Sequence, residues 1–273
     1  MMTAMKPPKT GKYHKEVLVM SVDYKTDAGK RRPHNEDSII VDHNKGIFLL
    51  ADGMGGHQAG EIASKMAVEV AYDYLLNTVR KTSSKKKIFE SLKSAILRAH
   101  EVIKLSAESN EDFTGMGTTL VLMIVKDDRA YICHAGDSRA YLIREKINQI
   151  TTDQTWANHL IKNKKVPSGK IPAQASHVLT QAVGVSSAIV PELKEIRLMQ
   201  EDVMLLCSDG LTDMLKDHEI KSIVEKYRHK DFNKTAPALV RAANYRGGRD
   251  NISVVLMKYR RSKIEVECTV FSF

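Results

Sequence analysis

Residues 38–78 read SIIVDHNKGIFLLADGMGGHQAGEIASKMAVEVAYDYLLNT, and the apolar period changes partway along them. Positions 38–42 and 47–51 are short apolar runs flanking His43-Asn44-Lys45-Gly46, an Asn/Gly-containing hairpin turn between two strands. From Glu61 the repeat becomes helical, with Ile62, Met66, Val70 and Tyr74 spaced along one face to about residue 78. Two paired strands thus feed a helix through a glycine-rich elbow, and no internal repeat or domain linker follows along the rest of the chain.

A second helix is expected over 88–106, after a solvated Lys/Ser loop at 80–87. Three β segments follow at 118–126, 129–134 and 139–144. Further on, 203–207 is a buried strand, 217–227 and 235–245 are a second pair of helices, and 252–257 is again a strand. Ile264, Val266, Cys268 and Val270 alternate with Glu265, Glu267 and Thr269 as a last edge strand. Strands in groups and helices in pairs predict an α+β fold of antiparallel sheets with helix pairs on their outer faces. A doubly wound fold would alternate strand and helix instead. Residues 17–273 are expected to form a single domain behind a flexible basic leader at 1–16. The polar stretch 151–176, broken by Pro167, Gly169 and Pro172, is expected to be a flap beside the sheet.

The 273 residues carry 42 Lys and Arg against 33 Asp and Glu, a formal charge of +9, and are 42% hydrophobic. That is a globular composition, without the bias of fibrous or disordered chains. No apolar run approaches the ~18 residues of a membrane span, and the stretch after the N-terminal lysines is too short for a secretion signal. Cys133, Cys207 and Cys268 are odd in number and far apart, as suits a reducing compartment, so a cytoplasmic location is expected.

Chemistry concentrates where strands end. IFLLADG stops at Asp52, YICHAGD at Asp137 and LLCSDG at Asp209, while GGRDNISVVL opens a strand just after Asp250. A strand end fixes a side chain at a sheet rim, and the neighbouring glycine lets backbone turn sharply and its carbonyl approach a ligand. Carboxylates gathered at one rim repel one another and resist ionisation unless cations neutralise them. An all-oxygen donor set selects hard ions such as Mg²⁺ or Mn²⁺, and no His/Cys spacing favours zinc. In TDAGKRRPHNED, Glu36 and Asp37 precede a strand leading to the same rim, and Arg32 offers a planar fork for phosphate.

In their order and spacing, TDAGKRRPHNEDS, ADGMGGHQAGEIAS, GMGTTL, HAGDSRAYL, LLCSDGLTDML and GGRDNISVV closely resemble the bacterial branch of the metal-dependent serine/threonine protein phosphatases, the PPM or type 2C family. The resemblance runs from about residue 17 to 257. It implies a four-layer αββα sandwich with a metal cluster at one rim. Asp52 would bridge two Mn²⁺ or Mg²⁺ ions, and the Gly53 carbonyl would bind one of them. Asp209 and Asp250 would complete the first ion's ligands, Glu36 and Asp37 would serve the second, and Asp137 with Asp209 would make a weaker third site. Arg32 would bind the phosphoryl group, and a metal-bridging hydroxide would attack phosphorus in line. Substrates would be phosphoserine and phosphothreonine proteins, a Ser/Thr protein kinase among the partners, with Lys162, Lys164, Lys165 and Lys170 of the flap encoding substrate choice. A monomer is the expected state. Met54 stands where eukaryotic relatives place a histidine general acid, leaving His57 or a metal-bound water for that role, with His177 a weaker contact.

Three readings compete. Cys133 to Arg139 fits CxxGxxR, the loop of cysteine-dependent phosphatases, but Ala140 to Ile143 reads as a strand where that loop needs a helix. Lysines at 85–87 and 162–165 raise a nucleic-acid surface, yet no helix-turn-helix, zinc finger or aromatic platform accompanies them. A non-catalytic scaffold would have lost a carboxylate or Arg32, and here the set is complete. Gly115 to Thr119 lacks the lysine of a phosphate-binding P-loop, and Gln58 interrupts GxGxxG.

Overall fold

Along the strand Ile47–Met54, Ile47, Leu49 and Ala51 belong to one hydrophobic cluster while Phe48 and Leu50 belong to another. Alternate side chains of a strand point to opposite faces, so this strand is buried on both sides and separates two cores. That explains why it reads as an uninterrupted apolar run.

The computed structural model describes residues 9–55, 59–163 and 171–270. In chain order the strands are β1 (Lys9–Asp27), β2 (Asp37–Asp42), β3 (Ile47–Met54), β4 (Gly117–Thr118), β5 (Leu120–Lys126), β6 (Arg129–Ala135), β7 (Arg139–Ile143), β8 (Ile147–Gln149), β9 (Glu192–Arg197), β10 (Val203–Cys207) and β11 (Ile252–Val270). The helices are α1 (Ala59–Thr78), α2 (Lys85–Ser109), α3 (Trp156–Lys162), the short turn α4 (Asp209–Thr212), α5 (Asp217–Tyr227) and α6 (Thr235–Tyr245). One antiparallel sheet has the order β1-β11-β10-β7-β8; the other runs β2-β3-β5-β6-β9, with β4 paired to β3.

Three cores stack through the molecule. The helices α1 and α2 pack Leu75, Ile88, Leu92 and Ile96 onto Leu49, Leu122 and Cys133. Between the sheets lie Phe48, Leu50, Val121, Met123, Ile132, Leu206, Val255 and Met257. On the far side Ile220, Val224, Leu239 and Val240 cover Leu205, Val254 and Leu256. The architecture is the expected αββα sandwich of two antiparallel sheets.

Several boundaries differ from the sequence reading. Residues Lys9–Glu16, read as leader, continue β1 and pair with Lys263–Val270 of β11. The partner strand lies at the other end of the chain, so local composition carries no trace of it; the register sets Lys12 opposite Glu267 and Glu16 opposite Lys263. The two terminal strand segments are one strand, and β1 rather than β11 forms the sheet edge. The second helix starts at Lys85 because the Ser84 hydroxyl caps it, accepting the Lys87 N–H at 3.3 Å. The edge strand β9 was not anticipated: ELKEIR is only partly buried and lacks an apolar run. The flap region contains α3 and a 3-10 turn at Ala173–Ser176. His57, Lys164, Lys165, Lys170 and residues 1–8 lie outside the described residues.

Phe48 is fully buried in the middle layer. Phe48→Ala is expected to cost about 3–5 kcal/mol of unfolding free energy in urea titration. A loss under about 1 kcal/mol would place Phe48 outside a close-packed core.

Candidate metal centre

The rim is set by strand register. Asp37 opens β2 directly opposite Asp52 of β3, and the antiparallel pairing puts both on one face of their sheet. Asp52 shares the parity of Phe48 and Leu50, so that face looks toward the second sheet. From the second sheet come Ser208, following β10, and Ser253 in β11. The Ser208 hydroxyl donates to Asp37 Oδ2 at 2.8 Å and accepts the Ser253 N–H at 3.0 Å. Asp209 opens α4 and Asp250 lies two residues before β11, so both sheets deliver carboxylates to one place.

Backbone contacts fix these positions. The Asp52 N–H donates to Thr119 Oγ1 at 2.9 Å, and its carbonyl accepts from Thr118 Oγ1 and from the Thr119 N–H, each at 2.8 Å. Thr119 Oγ1 lies 2.7 Å from Ser138 Oγ, tying β5 to the loop that carries Asp137. The side chain of Asn251 clamps the loop ahead of β2. Its amide donates to the carbonyls of Ala28 at 3.0 Å and His34 at 2.8 Å, while its oxygen accepts the Glu36 N–H at 2.8 Å.

Close backbone approach explains the two glycines that matter most. A Cβ on Gly53 would lie 2.1 Å from the Gly60 carbonyl oxygen, and one on Gly210 would lie 2.0 Å from the Asn251 carbonyl oxygen. Both contacts are shorter than any side chain tolerates, so the elbows after Asp52 and Asp209 require glycine. Gly60 serves a different end: its missing Cβ leaves room for the Glu36 carboxylate, 2.8 Å from where that atom would sit.

The electrostatics follow from burial. Asp37 is pushed up to about 7, first by burial and then by the charges of Asp209 and Asp250, although Ser253 and Ser208 oppose the rise. Asp52 is raised well above the ordinary carboxylate range by burial and by Asp37, Asp209 and Asp137. Burial lifts Asp137 to about 7, with Asp209 adding to it. Asp209 rises to about 6 through burial and the charges of Asp213 and Asp250, while a hydrogen bond with Asp52 holds it back. Glu36 is raised, chiefly by burial. Arg32 Nη2 donates to Asp250 Oδ2 at 2.7 Å, and this bond raises its pKa further. The structure therefore sets Arg32, Glu36, Asp37, Asp52, Gly53, Asp137, Asp209 and Asp250 along one rim.

Sequence reasoning missed Asp213, Asn251, Ser208 and Thr119. Asp213 sits one helical turn beyond Asp209, and ligand atoms of His177, Asp209 and Asp213 all lie within 4.8 Å of one another. The Asp-Gly-Leu-Thr-Asp spacing contained that signal, since positions i and i+4 share a helix face.

The chemistry of the donors fits divalent cations. Asp37 Oδ1 is buried with no hydrogen-bond partner, an arrangement that a bound cation satisfies and an apolar site does not. The surrounding donors are carboxylate and carbonyl oxygens, the set preferred by Mg²⁺ and Mn²⁺.

The thiolate reading fails on geometry. Cys133 lies on the helix-facing side of β6 within the outer core, and burial drives its thiol pKa far up. Arg139 is held by Asp153, with Nη2 to Oδ2 at 2.6 Å and Nε to Oδ1 at 2.9 Å, and it stands on strand β7. A nucleophilic cysteine needs a helix N-terminus and a lowered pKa, and Cys133 has neither. The basic run at 85–87 is the first turn of α2, where Lys85 pairs with Glu195 and Lys86 with Glu90.

An αββα sandwich whose two sheets converge carboxylates on one rim defines a metal-dependent protein phosphatase. The family model described as Protein phosphatase 2C matches residues 29–244, and the chain belongs to that family. It is 34% identical to the serine/threonine phosphatase stp of Listeria monocytogenes over 244 residues, covering 88% of this chain and 96% of that protein. It is equally similar, 34% over 255 residues, to protein phosphatase PhpP of Streptococcus pneumoniae, covering 90% of this chain and all of that one. Among solved structures, the Mycobacterium tuberculosis serine/threonine phosphatase PstP/Ppp superposes with a TM-score of 0.78 at 29% identity, over 89% of this chain and 100% of its own. The catalytic domain of PstP in complex with two manganese ions gives a TM-score of 0.75 at 31% identity, with the same coverage.

Raised carboxylate pKa values give a signed pH dependence. Between about pH 4 and 7 the folded metal-free protein holds protons on Asp37, Asp137 and Asp209 that the unfolded chain has released. These groups therefore stabilise the metal-free fold at low pH, and their contribution is lost as pH rises through 6 to 7. A cation must displace the same protons. The rise in Tm produced by saturating Mn²⁺ is expected to be large at pH 8 and to shrink by at least half by about pH 5.5. Scanning calorimetry with Mn²⁺ or EDTA across that range measures it, and a shift independent of pH would contradict the assignment.

Proposed function

We propose that the rim cluster holds two Mn²⁺ or Mg²⁺ ions and hydrolyses phosphoserine and phosphothreonine in proteins. In this reading Asp52 would serve both ions, the Gly53 carbonyl, Asp209 and Asp250 would hold the first, and Glu36 and Asp37 would hold the second. Asp137 and Asp209 contribute a weaker third position. The observation that carries the reading is the convergence of these carboxylates with an orphaned buried oxygen on Asp37 and an exposed arginine at the edge.

When bound, divalent ions supply Lewis acidity toward a phosphoryl oxygen and lower the pKa of water near neutrality. The chain's own residues do the rest. Arg32 is 51% exposed and spends Nη2 on Asp250, which leaves the other donors of its fork accessible to two phosphoryl oxygens. Asn251 orients that fork by fixing the backbone on both sides of Arg32, at Ala28 and at His34. No described helix is long and apolar enough to cross a membrane. A Ser/Thr protein kinase is the partner expected to share its substrates.

Asp209→Asn is expected to reduce hydrolysis of a phosphothreonine peptide to background while the thermal unfolding transition survives. EDTA should abolish wild-type activity and Mn²⁺ restore it, and Cys133→Ser should keep the wild-type rate. Full activity of a folded Asp209→Asn protein at saturating Mn²⁺ would remove Asp209 from the centre.

A further inference from the structure

We infer that the groove between α5 and α6 docks an acidic segment of the phosphoprotein substrate, on the reading that phosphate itself is held at Arg32. The groove encloses about 890 Å³. His218 and Ile223 of α5 line one side, Arg241 and Tyr245 of α6 line the other, and Lys30 and Arg246 complete the lining.

Position argues for a role in the same reaction. Lys30 stands two residues before Arg32, on the loop clamped by Asn251. Its N–H donates to the Gly248 carbonyl at 2.8 Å, two residues ahead of Asp250. The groove therefore opens where the phosphate-binding edge ends. An extended chain advances about 3.3 Å per residue, so a few residues beside a phosphorylated side chain bridge the distance along the Lys30–Arg32 loop.

Charge selects the occupant. The side chains of Lys30 and Arg241 make no ion pair among the described residues. The one carboxylate lining the groove, Glu219, is already committed: it pairs with Arg246 and accepts the Lys216 N–H at 3.0 Å. What remains is a positive surface facing a partner of opposite sign. Tyr245 is 90% exposed and so contributes nothing to the core, yet it projects beside Ile223 and Ala242 at the groove. A large amphipathic ring next to unpaired cations suits a peptide in which an aliphatic residue lies among Asp and Glu.

The test uses full-length protein with Mn²⁺ and three substrates: p-nitrophenyl phosphate, a phosphothreonine peptide flanked by Gly and Ser, and the same peptide flanked by Asp, Glu and Leu. For wild type, the acidic peptide is expected to show a KM about five- to tenfold lower than the neutral one, at similar kcat. That advantage should fade as salt rises. Arg241→Glu should erase it, Tyr245→Ala should reduce it, and neither should alter hydrolysis of p-nitrophenyl phosphate. Both positions are exposed on one helix, so a matched Tm for each variant excludes a folding effect. Equal KM values for the two peptides in wild type would overturn the docking site while leaving the metal centre intact. A fall in p-nitrophenyl phosphate turnover equal to the fall on the acidic peptide would overturn it too. Hydrolysis of the small ester with neither peptide cleaved would defeat the phosphoprotein reading, and the groove with it.

Discussion

Carboxylates buried together at a sheet rim repel one another, and the molecule is organised around containing that repulsion. Burial alone raises the pKa of Asp37, Asp52, Asp137 and Asp209, and each charge raises its neighbours further. A scaffold that was free to relax would separate them. Two sheets packed face to face across a dense layer of Phe48, Leu50, Leu206 and Val255 cannot, because opening the rim would open the core beneath it.

The restraint is distributed. Thr118 and Thr119 hold the backbone of Asp52 from the neighbouring strands, Ser208 reaches across from the second sheet to Asp37, and Asn251 ties the Arg32 loop to β11. Each of these groups hydrogen-bonds main chain or a single carboxylate oxygen. Ordinary buried polar networks are satisfied internally. Here Asp37 Oδ1 is left without a protein partner, and cation binding is the chemistry that completes such a set.

How much of this was legible depended on the distance over which each signal acts. The double-sided burial of β3, β5 and β10 was visible because it imposes apolar residues in succession, and helices α5 and α6 because their period is local. Asp52, Asp209 and Asp250 stood out because each touches a glycine or a strand boundary. The pairing of Lys9–Glu16 with Lys263–Val270 had no such mark, since it joins opposite ends of the chain and the residues are locally ordinary for a leader. Asn251 was hidden for a related reason: its importance lies in three hydrogen bonds to residues more than two hundred positions away.

The cysteine motif teaches the complementary point. Cys133 and Arg139 have the spacing of a phosphate-binding loop, but spacing describes a loop only when secondary structure bends the backbone into one. Here β6 and β7 carry them along extended chain in different sheets, so Cys133 ends among the side chains of α2 while Arg139 turns toward Asp153. The alternation that buries Cys133 with Leu49 and Ala51 on the helix side is the same alternation that leaves Phe48, Leu50 and Asp52 facing the second sheet. One alternation thus disables the thiol chemistry and builds the metal centre, which is why the two readings of this sequence exclude each other.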